Sequence, residues 1–166
     1  MFRKSFQVSK SILPSFLLVM AFIASSQAQS PPDIRVNNYL TSQQVPKGRS
    51  VQGVVEVDIP LGFHIHSNRP LEKFLIATQL TIEAPDGVRV GRVSYPRAQL
   101  KNLKFSKNRV AVYEGRATMR FTVTVPASYN GDSVDLKGRL RYQSCNDELC
   151  FRPENREFNF SAKVQR

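Results

Sequence analysis

The chain has 166 residues, with 24 Lys+Arg against 13 Asp+Glu and a formal charge of +11. That length suits one ordinary domain rather than two. A 41% hydrophobic content is too high for a disordered tail, and two cysteines are too few for a disulfide-dense scaffold. With no Trp, it lacks the core tryptophan of an antibody-type domain. Arg3, Lys4 and Lys10 form a positive leader with no acid before Asp33. An apolar run from Ile12 to Ile23, interrupted by Pro14 and Ser15, leads to Ser26-Gln27-Ala28. These are the three regions of a secretory signal peptide over residues 1–28, cut after Ala28. A helix over that run is about 18 Å long, short of the ~30 Å hydrocarbon core, so no stable membrane insertion of the mature chain is expected. Removing the leader leaves 21 basic residues and a charge of +8. Export also places Cys145 and Cys150 where disulfides persist.

Residues 29–45 are polar and Pro-containing and suit a lead-in segment or an edge strand; residues 46–166 form the expected domain. Period-2 patterns dominate it. Val51, Gly53, Val55, Val57 and Ile59 alternate with more polar neighbours, and Phe63 and Ile65 alternate with His64 and His66. Ala117, Met119, Phe121, Val123 and Val125 give the clearest alternation, followed by Val134, Leu136, Leu140 and Tyr142, and then Phe158, Phe160, Ala162 and Val164. Turn signals such as Pro60-Leu61-Gly62, Pro85-Asp86-Gly87 and Asn130-Gly131 separate the runs. No sustained helical period appears. Burial of one face along many short strands predicts an all-β, immunoglobulin-like antiparallel β-sandwich.

Four residues separate the cysteines, in Cys145-Asn146-Asp147-Glu148-Leu149-Cys150. A hairpin brings such a pair face to face, ~4.5 Å apart at Cα, within disulfide range. Closing so short a loop contributes only ~2 kcal/mol of chain-entropy stabilisation. Extending the strand's alternation puts Cys145 on the outer face with Arg139, Arg141 and Gln143, exposed to exchange. Spacing alone leaves two readings open: a redox pair and a passive hairpin clip in a non-catalytic envelope binding domain.

His64 and His66 project to one face of a strand and, with the cysteines, suggest a Cys2His2 metal set. A pair of exposed or rim histidines is the favoured reading, with no metal and no cofactor expected. Near the cysteines, His64 could stabilise a thiolate or relay a proton. Seven basic residues and no acid lie from Arg89 to Arg109, as a solvated face or a docking surface for an acidic partner. Export argues against nucleic acid as a partner. The chain has no nucleophile elbow or phosphate loop.

Tyr142-Gln143-Ser144-Cys145, then Cys150 and Pro153-Glu154, resembles the cysteine segment of the N-terminal periplasmic domain of the DsbD family. Gly62-Phe63-His64-Ile65-His66-Ser67-Asn68, Leu100 to Phe105, and Val112-Tyr113-Glu114-Gly115 resemble further blocks in the same order, so the likeness spans roughly residues 40–164. The resemblance implies an immunoglobulin-like periplasmic domain, acting as a monomer, that shuttles reducing equivalents between thiol–disulfide proteins. It implies that Cys150 carries the mixed disulfide, that Cys145 resolves it, and that Phe105 caps the pair. His64, His66 and Tyr142 are candidate neighbours of the site. Well-characterised members have one more residue between the cysteines and acidic residues beside the cap, where Leu103 and Lys104 stand here. The family protein also continues into a membrane transporter and a thioredoxin-like domain, so the electron donor is expected to be a separate protein.

Overall fold

The computed structural model describes residues 30–165, so the expected signal peptide lies outside the described residues. In chain order the strands are β1 (Arg35–Leu40), β2 (Gln44–Pro46), β3 (Ser50–Asp58), β4 (His64–His66), β5 (Gln79–Glu83) and β6 (Arg89–Val90). They continue with β7 (Gln99–Lys101), β8 (Val110–Tyr113), β9 (Arg116–Thr124), β10 (Ser133–Tyr142), β11 (Ser144–Cys145) and β12 (Glu154–Gln165).

Two sheets face each other, one ordered β1-β3-β9-β6 and the other β2-β12-β10-β5. The apolar phase of each long strand falls on the shared interior. Val51, Val55, Val57, Met119, Phe121 and Val123 from the first sheet bury against Leu80, Leu136, Leu140, Tyr142 and Phe160 from the second. Phe121 and Phe160 meet edge to face with centroids 5.4 Å apart, favourable geometry for a ring pair. The far end of the Phe121 ring also covers its register partner Gly53, where an added Cβ would sit 2.2 Å from Cζ. No larger residue fits there without displacing Phe121.

The sandwich and its long strands follow the alternation. The lead-in segment supplies β1, an edge strand paired along its length with β3, and β2, which pairs in parallel with β12. That parallel pair departs from the all-antiparallel expectation. The chain crosses from the first sheet to the second within the few residues between β1 and β2.

A third, antiparallel sheet, ordered β11-β4-β8-β7, goes beyond the expected two. Its strands are short sequels or preludes to sandwich strands: β4 follows β3, β8 precedes β9, and β11 follows β10. Gly115 makes the turn between β8 and β9 with φ of 63°, a left-handed conformation that a side chain would strain. This sheet has its own small core of Leu75, Leu103, Val110 and Val112, with Phe105 packed on it.

Candidate functional site

Cys145 and Cys150 are joined in a disulfide, with Cα atoms 4.0 Å apart across an isolated antiparallel bridge. The loop between them is ordered by Asn146, whose Oδ1 accepts from the Glu148 and Leu149 amides at 2.9 and 2.8 Å. The Asn146 amide donates to the Leu149 carbonyl, and the Phe151 amide to the Ser144 carbonyl. The side-chain bonds form an Asx turn, the reason an asparagine suits the start of so tight a loop.

Cys145 is not on an outer face, as the extended alternation predicts. It is fully buried, whereas Cys150 is partly exposed. The phase breaks at Gln143: β10 ends at Tyr142, and the chain re-enters a different sheet as β11. Gln143 marks the transfer, donating from Nε2 to the Phe151 carbonyl at 2.9 Å. Counting parity through Gln143 therefore assigns Cys145 to the wrong face.

The histidines also differ from expectation. His64 and His66 are buried, not exposed or on a rim, because β4 lies between β11 and β8. His66, rather than His64, touches the sulfurs. Its Nε2 lies 3.4 Å from Cys145 Sγ and 3.8 Å from Cys150 Sγ. Its Nδ1 faces the Ile76 carbonyl at 3.1 Å. A carbonyl only accepts, so Nδ1 carries the hydrogen and Nε2 presents its lone pair to the sulfurs. The ligand atoms of His66, Cys145 and Cys150 lie within 4.8 Å of one another, without His64. With both sulfurs bonded to each other, neither is available as a thiolate ligand.

Burial holds the His66 pKa below the usual histidine value, against the opposing pull of the Ile76 carbonyl. Burial first, and then neighbouring His66, push His64 down to about 4. Both rings are thus neutral at pH 7. His64 Nε2 and Ser144 Oγ are buried with no hydrogen-bond partner among the described residues.

Phe105 stacks on His64, with centroids 6.3 Å apart and planes at 24°. His64 is in turn the register partner of Cys145. The segment carrying Phe105 is tied to the cysteine loop by the Lys104 amide, which donates to the Asp147 carbonyl at 3.0 Å. An ion pair between Lys104 Nζ and Glu148 Oε1 at 2.8 Å adds a second tie. This contact raises the Lys104 pKa and lowers that of Glu148, so the lysine's charge is spent on Glu148 rather than offered to a thiolate. Lys101, also of the basic stretch, pairs with Glu114. Tyr142 is buried in the sandwich core, its hydroxyl held by Glu154 and Arg156 at 3.3 Å each.

The sequence matches the family described as thiol:disulfide interchange protein DsbD, N-terminal, over residues 36–162, most of the chain and all of the cysteine site. The chain belongs to the DsbD N-terminal domain family. The DsbD N-terminal domain has an immunoglobulin-like fold, and family membership together with the Cys145–Cys150 bond supports a thiol–disulfide exchange domain. Among solved structures, the chain is similar to the N-terminal periplasmic domain of ScsB from Proteus mirabilis, with a TM-score of 0.54 at 15% identity. That likeness covers 79% of this chain and 48% of the other, so the chain spans about half the length of the ScsB domain. The reduced N-terminal domain of Neisseria meningitidis DsbD is also similar, with a TM-score of 0.45 and 21% identity over 67% of this chain and 77% of that one. No curated protein matches the chain by sequence. No helix among the described residues is long and apolar enough to cross a membrane.

Proposed function

We propose that this DsbD N-terminal-type domain passes reducing equivalents between exported, periplasmic proteins through Cys145 and Cys150, as a monomer. The unequal exposure of the two cysteines carries the reading. Cys145 is sealed, so a partner's sulfur reaches the pair at Cys150. In the reduced domain, the Cys150 thiolate attacks the partner's disulfide; that bond breaks and one partner thiolate leaves. Cys145 then attacks Cys150 Sγ, releasing the second partner thiolate. The partner has gained two electrons, and the domain is left with the Cys145–Cys150 bond seen here. A separate dithiol protein reverses these steps to reload it. Thiols alone balance the reaction, so no cofactor is required. Phe105, stacked on His64 and stitched to the cysteine loop through Lys104, serves as the cap that a partner displaces.

Cys145→Ser leaves the attacking thiol without its resolving partner. Incubated with an oxidised envelope extract, the reduced variant should accumulate adducts that dithiothreitol reverses. Peptide mapping should place the linkage at Cys150, and the double Cys145→Ser, Cys150→Ser variant should form none. A reduced Cys145→Ser domain that forms no adduct means the pair does not exchange, which leaves the hairpin clip as the role of the disulfide.

A further inference from the structure

In the disulfide state, His66 Nε2 is an acceptor aimed at two sulfurs that have no hydrogen to give. Nδ1 is committed to the Ile76 carbonyl, so the ring cannot flip its tautomer without losing that bond. The loop supplying this carbonyl is itself fastened: Thr78 Oγ1 donates to the His66 carbonyl, and the Thr78 amide to the Ser67 carbonyl. A ring fixed on both sides, beside a sulfur that is fully buried, is arranged for the state in which that sulfur carries a proton.

That state is the mixed disulfide. Cys145 must then attack Cys150 Sγ, but only the thiolate is a competent nucleophile, and burial in apolar surroundings disfavours it. Solvent hydroxide has little access to a sulfur with no exposed surface. Among the described residues, the nearest base is His66 Nε2, 3.4 Å from Cys145 Sγ.

We propose that His66 is the proton acceptor for Cys145, and so a catalytic residue of the resolving step; this rests on the exchange reading above. As Nε2 takes the Cys145 proton, the Cys145–Cys150 bond forms and the bond from Cys150 to the partner breaks. The partner leaves as a thiolate. The imidazolium returns the proton to it from Nε2, which also lies 3.8 Å from Cys150 Sγ. In the opposite direction His66 protonates Cys145 as it leaves. Two electrons and one proton are accounted for at each pass.

Few charges perturb this exchange locally. On β4 itself, the His64 ring centroid is 6.5 Å away. β8 presents uncharged Val112 in register with His66, and the other facing groups are the two cysteines and the Ile76 carbonyl. Glu114, Asp147 and Lys101 act on His64.

Ellman's reagent supplies a defined mixed disulfide. Reduced domain releases one aryl thiolate when Cys150 attacks and a second when Cys145 resolves. The aryl thiolate leaves without needing a proton, so the second phase reads base function alone. In stopped flow, the wild-type second phase should be flat from about pH 6.5 to 8, above the depressed titration of a buried imidazole. His66→Gln and His66→Phe should slow it by about 100-fold at pH 7 and make it climb about tenfold per pH unit, as simple thiol ionisation does. His66 variants that keep the wild-type rate and plateau overturn the proposal. If both His66 variants fail to fold, the wild-type profile decides alone: a tenfold rise per unit without a plateau overturns it. Because an aryl thiol replaces the protein partner, this result stands whether or not Cys145→Ser captures a client.

Discussion

Cys150→Ser is expected to reduce disulfide exchange with protein partners to the uncatalysed background, although Cys145 and His66 are both retained. The physical reason is access. Exchange requires in-line approach of a thiolate to a disulfide sulfur, and Cys145 has no exposed surface from which to make it. The remaining Cys145 thiol should also react with iodoacetamide at least about tenfold more slowly than Cys150 does in Cys145→Ser, since each ~1.4 kcal/mol of opening free energy costs a factor of ten. Paired labelling rates of the two single variants at pH 8 check this. Equal rates, or exchange surviving in Cys150→Ser, would make Cys145 the partner-facing thiol and reverse the assigned roles.

Phe105→Ala is expected to raise the alkylation rate of the reduced pair by about tenfold while lowering stability. Besides its stacking on His64, the cap is held by three modest interactions. The Lys104–Asp147 backbone bond contributes about 1 kcal/mol, and the exposed Lys104–Glu148 pair adds less, since solvent screens it. The Phe105 ring, half-buried on Leu75, Leu103, Val110 and Val112, adds on the order of 1–1.5 kcal/mol. Losing the ring removes its share of the cost of opening, which sets the tenfold figure. Removing the ion pair with Lys104→Ala should have the smaller effect. Unchanged alkylation in Phe105→Ala would show that the ring does not cover the sulfurs.

The sandwich was legible in the sequence because β3, β9, β10 and β12 are long enough for a period of two to register. Ala117 to Val125 and Val134 to Tyr142 bury the faces their alternation indicates. The third sheet was not legible. β4, β7 and β11 have only two or three residues each, too few to show a period. The strand β8 is buried at all four positions, so it offers no alternation at all. The cysteine pair itself was visible from its spacing and family resemblance. Its asymmetry was not, because the transfer from β10 to β11 at Gln143 resets the face. The only sequence trace of that reset is that Tyr142 closes the apolar phase just before a polar Gln143-Ser144. For the same reason His66 could not be separated from His64. Both lie on β4, and only the third sheet, with Ile76 behind the ring, sets which one meets the sulfurs.

The central claim is that the Cys145–Cys150 bond is made and broken in use rather than kept as a staple. Equilibrating the mature domain with glutathione or dithiothreitol buffers, and quantifying the disulfide by alkylation, gives its reduction potential directly. An exchanging pair should equilibrate within minutes at a potential above about −300 mV, the range of labile and catalytic disulfides. A potential below about −300 mV, with a bond inert to these thiols, would contradict the account and make the disulfide structural.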